Sequence, residues 1–113
     1  EYAVSVVSLA ELHFGVLRAG ASPHLGARVR RLTDIEHRFD PLSVDRRVAL
    51  AYAECAEAVA RSGRNPRPRS FDLLIAATAR AEGAALCTSN LDDFRGLEGL
   101  VTVVSPAELG AAR

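Results

Sequence analysis

The chain of 113 residues has no methionine and only two cysteines, Cys55 and Cys87. The cysteines are too far apart for a zinc knuckle and have no histidine or cysteine beside them, which removes a zinc site built on that pattern. Cys55 falls on an apolar helical stripe and Cys87 at the end of a predicted strand, so both read as small core residues and suit a reducing cytoplasm. No signal peptide is visible, and no apolar run approaches the roughly 20 residues that cross a bilayer, so no membrane partner is expected. A surplus of one charge is missing as well: 14 basic and 14 acidic residues cancel, so total charge announces no nucleic-acid partner. There are no internal repeats. The opening on Glu1 and the lack of methionine suit a processed chain with a functional segment upstream.

What is present is apolar. With 49% hydrophobic residues the chain can bury a modest core, and its length suits one domain over residues 1–113. Ala3 to Val7 reads as a buried strand, followed by Ser8 capping a helix from Leu9 to about Ala19 with Leu9, Leu12 and Val16 on one stripe. Ser22-Pro23 starts a helix carrying Leu25, Val29 and Leu32, and Phe39 to Val44 is a second strand interrupted in character by Pro41. Asp45 caps a helix whose Val48, Tyr52, Cys55 and Val59 are spaced by four, three and four residues, the clearest amphipathic signal in the chain. Gly63 to Arg69 is an arginine-rich loop. A helix from Phe71 to about Glu82 follows and stops before Gly83. Ala84 to Cys87 and Val101 to Val104 are further strands, with a helical turn over Leu91 to Leu97 between them and another beginning at Ser105-Pro106. Strands alternating with helices predict an α/β fold with a parallel sheet.

Three acids stand at element ends: Glu11 after an apolar run, Asp72 at the mouth of an almost wholly apolar helix, and Asp93 after Thr88-Ser89-Asn90. Each has a structural explanation. Ser8-Leu9-Ala10-Glu11 matches a capping box, Asp72 suits a first helical turn capped by Ser70, and Asn90 precedes Asp93 at cap spacing. Ser105-Pro106-Ala107-Glu108 repeats the same pattern where no chemistry is expected. Taken jointly they point elsewhere, because strand ends and helix starts in a parallel sheet converge on one crevice. Carboxylates gathered there repel one another unless a cation binds, and Mg²⁺ or Mn²⁺ suits an all-oxygen set. Arg61, Arg64, Arg67 and Arg69 arrive without an intervening acid just before Asp72, either as a solvated loop or as a phosphate-binding run.

Three stretches carry a resemblance. They are Ser5-Val6-Val7-Ser8-Leu9-Ala10-Glu11-Leu12 with Gly15, then Asp72-Leu73-Leu74-Ile75-Ala76-Ala77-Thr78-Ala79, then Leu86-Cys87-Thr88-Ser89-Asn90-Leu91-Asp92-Asp93-Phe94. In this order they resemble the PIN-domain family, and more closely the VapC-type toxin ribonucleases of VapBC toxin–antitoxin pairs. The resemblance implies a three-layer α/β/α domain with a short parallel sheet. It makes Glu11, Asp72 and Asp93 the metal-site acids, with Asn90 and Thr88 as further site residues. Gly15, four residues after Glu11, either leaves space beside that carboxylate or serves close helix packing. His13, His24 and His37 have no ligand pattern.

Family members open with a strand ending in a metal-contacting aspartate. This chain starts at what resembles the second strand, so the resemblance implies that the central first strand is absent from it. The sheet is then completed by an associated amino-terminal peptide or by a strand from another chain, or the fragment rearranges. In the complete protein the resemblance implies a Mg²⁺- or Mn²⁺-dependent endoribonuclease of the bacterial cytoplasm that cleaves RNA phosphodiesters and inhibits translation or growth. Arg64, Arg67 and Arg69 are then candidates for RNA contact, and the partners are a VapB-like antitoxin and a second toxin subunit in a homodimer. The alternative is a catalytically inert module that binds antitoxin or another subunit.

Overall fold

The computed structural model describes residues 3–107. The chain divides into two compact units, Glu1–Ser43 and Val44–Arg113.

The first unit is a pair of helices, α1 (Val6–Ala19) and α2 (Leu25–Arg38). Helix α1 begins earlier than the sequence predicts. Ser5, extended at φ −84° and ψ 154°, is its cap, and its hydroxyl accepts the Ser8 amide. Val6 and Val7 are therefore helical rather than the end of a strand, and Ser8 is a residue of the first turn instead of the cap. The two predicted strands contract to one parallel bridge between Ser5 and Leu42, held by Val6 N donating to Leu42 O at 3.0 Å and Leu42 N donating to Val4 O at 2.7 Å. Ser5 gives up extended pairing to cap a helix, and Pro41 has no amide to extend a ladder. Helix α2 starts two residues after Pro23, behind a turn in which the Ser22 hydroxyl accepts the His24 amide. Of its expected stripe Leu32 is buried while Val29 is exposed. The Arg28 Nη1 donates to Gly15 O at 2.7 Å and ties the two helices together.

The second unit packs α3 (Arg46–Arg61) against α4 (Ser70–Glu82) beside a two-stranded parallel sheet, β1 (Leu86–Cys87) and β2 (Val103–Val104). The expected α3 stripe faces inward: Val48, Cys55 and Val59 are buried and Tyr52 is half-buried. Ala76, Ala77 and Ala79 of α4 are buried with them, their small side chains letting the helices approach closely. Thr78 is buried too, and its hydroxyl is satisfied by donating to Leu74 O at 2.7 Å. Gly83, at φ 66°, ends α4 in the left-handed conformation that lets Ala84 N donate back to Ala79 O. Phe71 departs from the expectation of an almost fully enclosed helix, being 60% exposed. Cys87 is exposed rather than a core residue, because alternation along a two-residue strand turns it away from the face that Leu86 half-buries. Pro106 and Ala107 are helical, while Glu108 lies outside the described residues. No helix among the described residues is long and apolar enough to cross a membrane.

The α3 cap is as expected. Asp45 accepts the amides of Arg47 and Val48 at 3.0 and 3.4 Å. Desolvation works against its charged form, but the Arg47 guanidinium and these amides outweigh it and hold the carboxyl below the ordinary 3.8. A carboxyl lowered by folding contributes stability that is present above 3.8 and lost as pH falls through the folded value. Asp45→Ala is therefore expected to lower Tm at neutral pH, and thermal melts should show variant and parent converging in acid.

Candidate active site

Asp72 is, as its position suggests, an acid in the first turn of α4, and Asp93 one in the turn after Asn90, both placed to favour a helix dipole. The side-chain capping bonds open to the three acids are what the structure does not make. With Ser5 as the α1 cap, Glu11 is the sixth residue of that helix, well past the position from which a capping-box acid reaches back. Ser70 does not cap α4 either: the cap is Arg69, which makes no side-chain bond, and the Ser70 hydroxyl donates to Arg67 O at 2.7 Å. Asn90 stands at the cap of the 3-10 turn Leu91–Phe94 but its side chain caps nothing. The side chains of Glu11, Asp72 and Asp93 accept no hydrogen bond and form no ion pair among the described residues.

The second unit brings Asp72 and Asp93 within electrostatic reach of each other. Asp72 is the third residue of α4 and half-buried. Burial first, then the Asp93 charge, push its carboxyl above the ordinary 3.8, and the nearby Arg69 only partly opposes them. Asp93 comes from the 3-10 turn, with its side chain exposed. Thr88 and Asn90 order the approach to that turn: the Thr88 hydroxyl accepts the Asn90 amide at 3.0 Å, and the Asn90 carbonyl accepts the Asp93 amide at 3.1 Å. Asp92 is turned to solvent and pairs with Arg95 at 2.9 Å. Glu11 is exposed on α1 in the first unit. A methyl group at Gly15 would meet only the Arg28 side chain at an ordinary 3.9 Å. His13 is a surface residue, 4.0 Å from Glu36.

The arginines divide by role. Arg67 is exposed, and its amide is accepted by Asn65 Oδ1 at 3.2 Å. Arg69 is half-buried, and its Nε is enclosed with no hydrogen-bond partner among the described residues. Arg64 Nη1 donates to the carbonyl oxygens of Asp92 and Arg95, a contact spanning some thirty residues of chain that no local pattern encodes.

The donor set fits a hard divalent cation. Asp72 and Asp93 are two carboxylates whose mutual repulsion a cation would relieve, and in their unit no third histidine, cysteine, aspartate or glutamate joins them among the described residues. Mg²⁺ is commonly held by one or two carboxylates with water completing its shell, so a pair meets its needs, whereas zinc prefers nitrogen or sulfur.

The PIN domain model matches residues 1–100, and the chain belongs to the PIN domain family. It is 39% identical to ribonuclease VapC4 of Mycobacterium tuberculosis over 92 residues, 81% of this chain and 68% of that protein. Ribonuclease VapC5 of the same organism is also 39% identical, over 103 residues, 89% of this chain and 72% of that protein. Among solved structures, VapBC-5 of M. tuberculosis, a member of the VapBC family of toxin–antitoxin systems, superposes with a TM-score of 0.78 at 35% identity. That match covers 91% of this chain and 79% of the other.

Proposed function

We propose that the full-length protein is a toxin ribonuclease that uses Mg²⁺ or Mn²⁺ to cleave RNA phosphodiesters and thereby inhibits translation or growth. The observation that carries this reading is the Asp72–Asp93 pair: two carboxylates that make no side-chain cap bond and act on one another, on a chain whose 39%-identical relatives are ribonucleases. Asp72 and Asp93 are the residues that would hold the ion. Glu11 joins them on its motif, not on geometry. When bound, such an ion acidifies water and neutralises charge developing on a phosphoryl oxygen.

The surrounding residues have separate tasks. Thr88 and Asn90 fix the backbone leading to Asp93. Arg69 offers a positive charge beside Asp72 and a buried donor in need of an acceptor, which suits a phosphate oxygen. Exposed Arg67 extends that contact along the RNA backbone. The partners in this reading are a VapB-like antitoxin, in keeping with the VapBC-5 likeness, and a second copy of the toxin, and the place of action is the bacterial cytoplasm.

The test is cleavage of total RNA by the purified full-length protein with Mn²⁺ and with the metal chelated. Cleavage with metal, its loss on chelation and its return on adding Mn²⁺ back are expected. Equal cleavage with and without chelator would overturn the metal role, and no cleavage of any RNA with metal present would overturn the ribonuclease reading.

A further inference from the structure

We propose that Arg64 is a positioning residue of this site: its guanidinium fixes the turn that presents Asp93 and so sets where that carboxylate stands relative to Asp72. This rests on the ribonuclease reading above. Arg64 Nη1 donates to Asp92 O at 3.1 Å and to Arg95 O at 3.2 Å, the two residues that bracket Asp93 and Phe94. A single guanidinium nitrogen, held in place by its planar and permanently charged head, bridges both ends of so short a turn and leaves the residues between little freedom. Phe94, inside the bracket, is buried in the core with Leu97, so the turn is pinned from below as well.

An independent contact seats the same turn on the same stretch of chain. Gly96 adopts φ +96°, and a methyl group there would lie 2.9 Å from Ser62 Oγ and 3.4 Å from Val59 Cα. The backbone just after Asp93 therefore lies directly on the end of α3. Arg64 leaves from that end, with its amide donating to Val59 O at 3.2 Å. Both the backbone and the side-chain head of Arg64 are thus anchored, one to α3 and the other to the turn. An arginine waiting for RNA would keep its fork free, as Arg67 does on the surface.

The test compares full-length Arg64→Ala and Arg64→Lys with the parent, using Asp72→Asn as a control for the underlying reading. Three quantities are measured: kcat and KM for RNA cleavage, Mn²⁺ affinity without RNA by electron paramagnetic resonance, and amide hydrogen exchange over residues 90–97. Both substitutions should lower kcat and weaken Mn²⁺ binding by roughly 10–100-fold, the scale for losing a group that orients a metal ligand. Exchange in the turn should accelerate, and KM for RNA should stay within about twofold of the parent, since no RNA contact is removed. Lysine should rescue only in part, because its flexible stem does not hold the donor nitrogen in one place as the planar guanidinium holds Nη1. If Arg64→Ala does not fold, Arg64→Lys and Arg64→Gln carry the same readings.

Raised KM with unchanged Mn²⁺ affinity would make Arg64 an RNA contact and overturn the proposal. Parent-like kcat and Mn²⁺ binding in Arg64→Ala, with Asp72→Asn inactive, would overturn it while leaving the ribonuclease reading intact. Cleavage by Asp72→Asn at the parent rate would remove the underlying reading itself.

Discussion

Asp72→Asn in the full-length protein should cut RNA cleavage by about two orders of magnitude or more, because it weakens the hold on the cation that would neutralise transition-state charge. The same change should make the protein harder to melt at neutral pH. Burial and the Asp93 charge raise the Asp72 carboxyl above 3.8 in the folded state. An acid raised by folding opposes folding once it ionises: the penalty is absent below 3.8, grows as pH rises through the interval up to the folded value, and is complete above it. Asparagine carries no charge and avoids the penalty. The variant should therefore melt above the parent near neutral pH, with the gap closing as pH falls to 3.8 and below. Mn²⁺ should raise the parent's Tm more than the variant's, because it stabilises the form that binds it. Thermal melts across pH, with and without Mn²⁺, check this beside initial cleavage rates. A parent-like rate, or a lower Tm at neutral pH, would contradict the assignment.

Leu73→Ala, one residue away, should do the opposite. Leu73 is 2% exposed and packs in the core that holds Cys55, Val59, Ala76, Phe94 and Leu97. Removing most of its side chain loses burial and opens a cavity, at about 2–5 kcal/mol for a leucine in such a place. That is a large share of the roughly 5–15 kcal/mol that holds a typical domain folded. Urea unfolding should show the midpoint falling sharply at an unchanged slope. At low temperature, where the variant remains folded, cleavage should survive. A loss below about 1 kcal/mol would mean that the site collapses more readily than its packing shows. The two neighbours thus separate chemistry from stability: one exchanges activity for stability, the other loses stability alone.

The parts of the fold that were legible are those written in neighbouring residues. Asp45 and the stripe Val48, Cys55, Val59 declare α3 within a few turns, and Gly83 stops α4 because few other residues accept its backbone. The strands were harder. Ala3 to Val7 has the β-branched composition of a strand, but Ser5 starts a helix there, and nothing local decides between the two serines as cap. Cys87 looked buried because composition cannot tell which face of a two-residue strand it takes. At the site the acids were legible as types and positions. The electrostatic link between Asp72 and Asp93 was not, since it depends on the seating of a turn twenty residues downstream. Arg64 illustrates the limit best. In sequence it is one of a run of arginines, and only the folded chain shows its Nη1 shared between two carbonyls.

The unequal burial of the two cysteines provides a spectroscopic handle without any engineering. Cys55 is enclosed, and burial pushes its thiol up, away from the reactive thiolate. Cys87 is exposed and immediately precedes Thr88. Of these two thiols, a maleimide dye or nitroxide should therefore take Cys87, next to the stretch that leads to Asp93. Quenching of that label by paramagnetic Mn²⁺ would then register occupancy of the carboxylate pair in real time, in the unmutated protein.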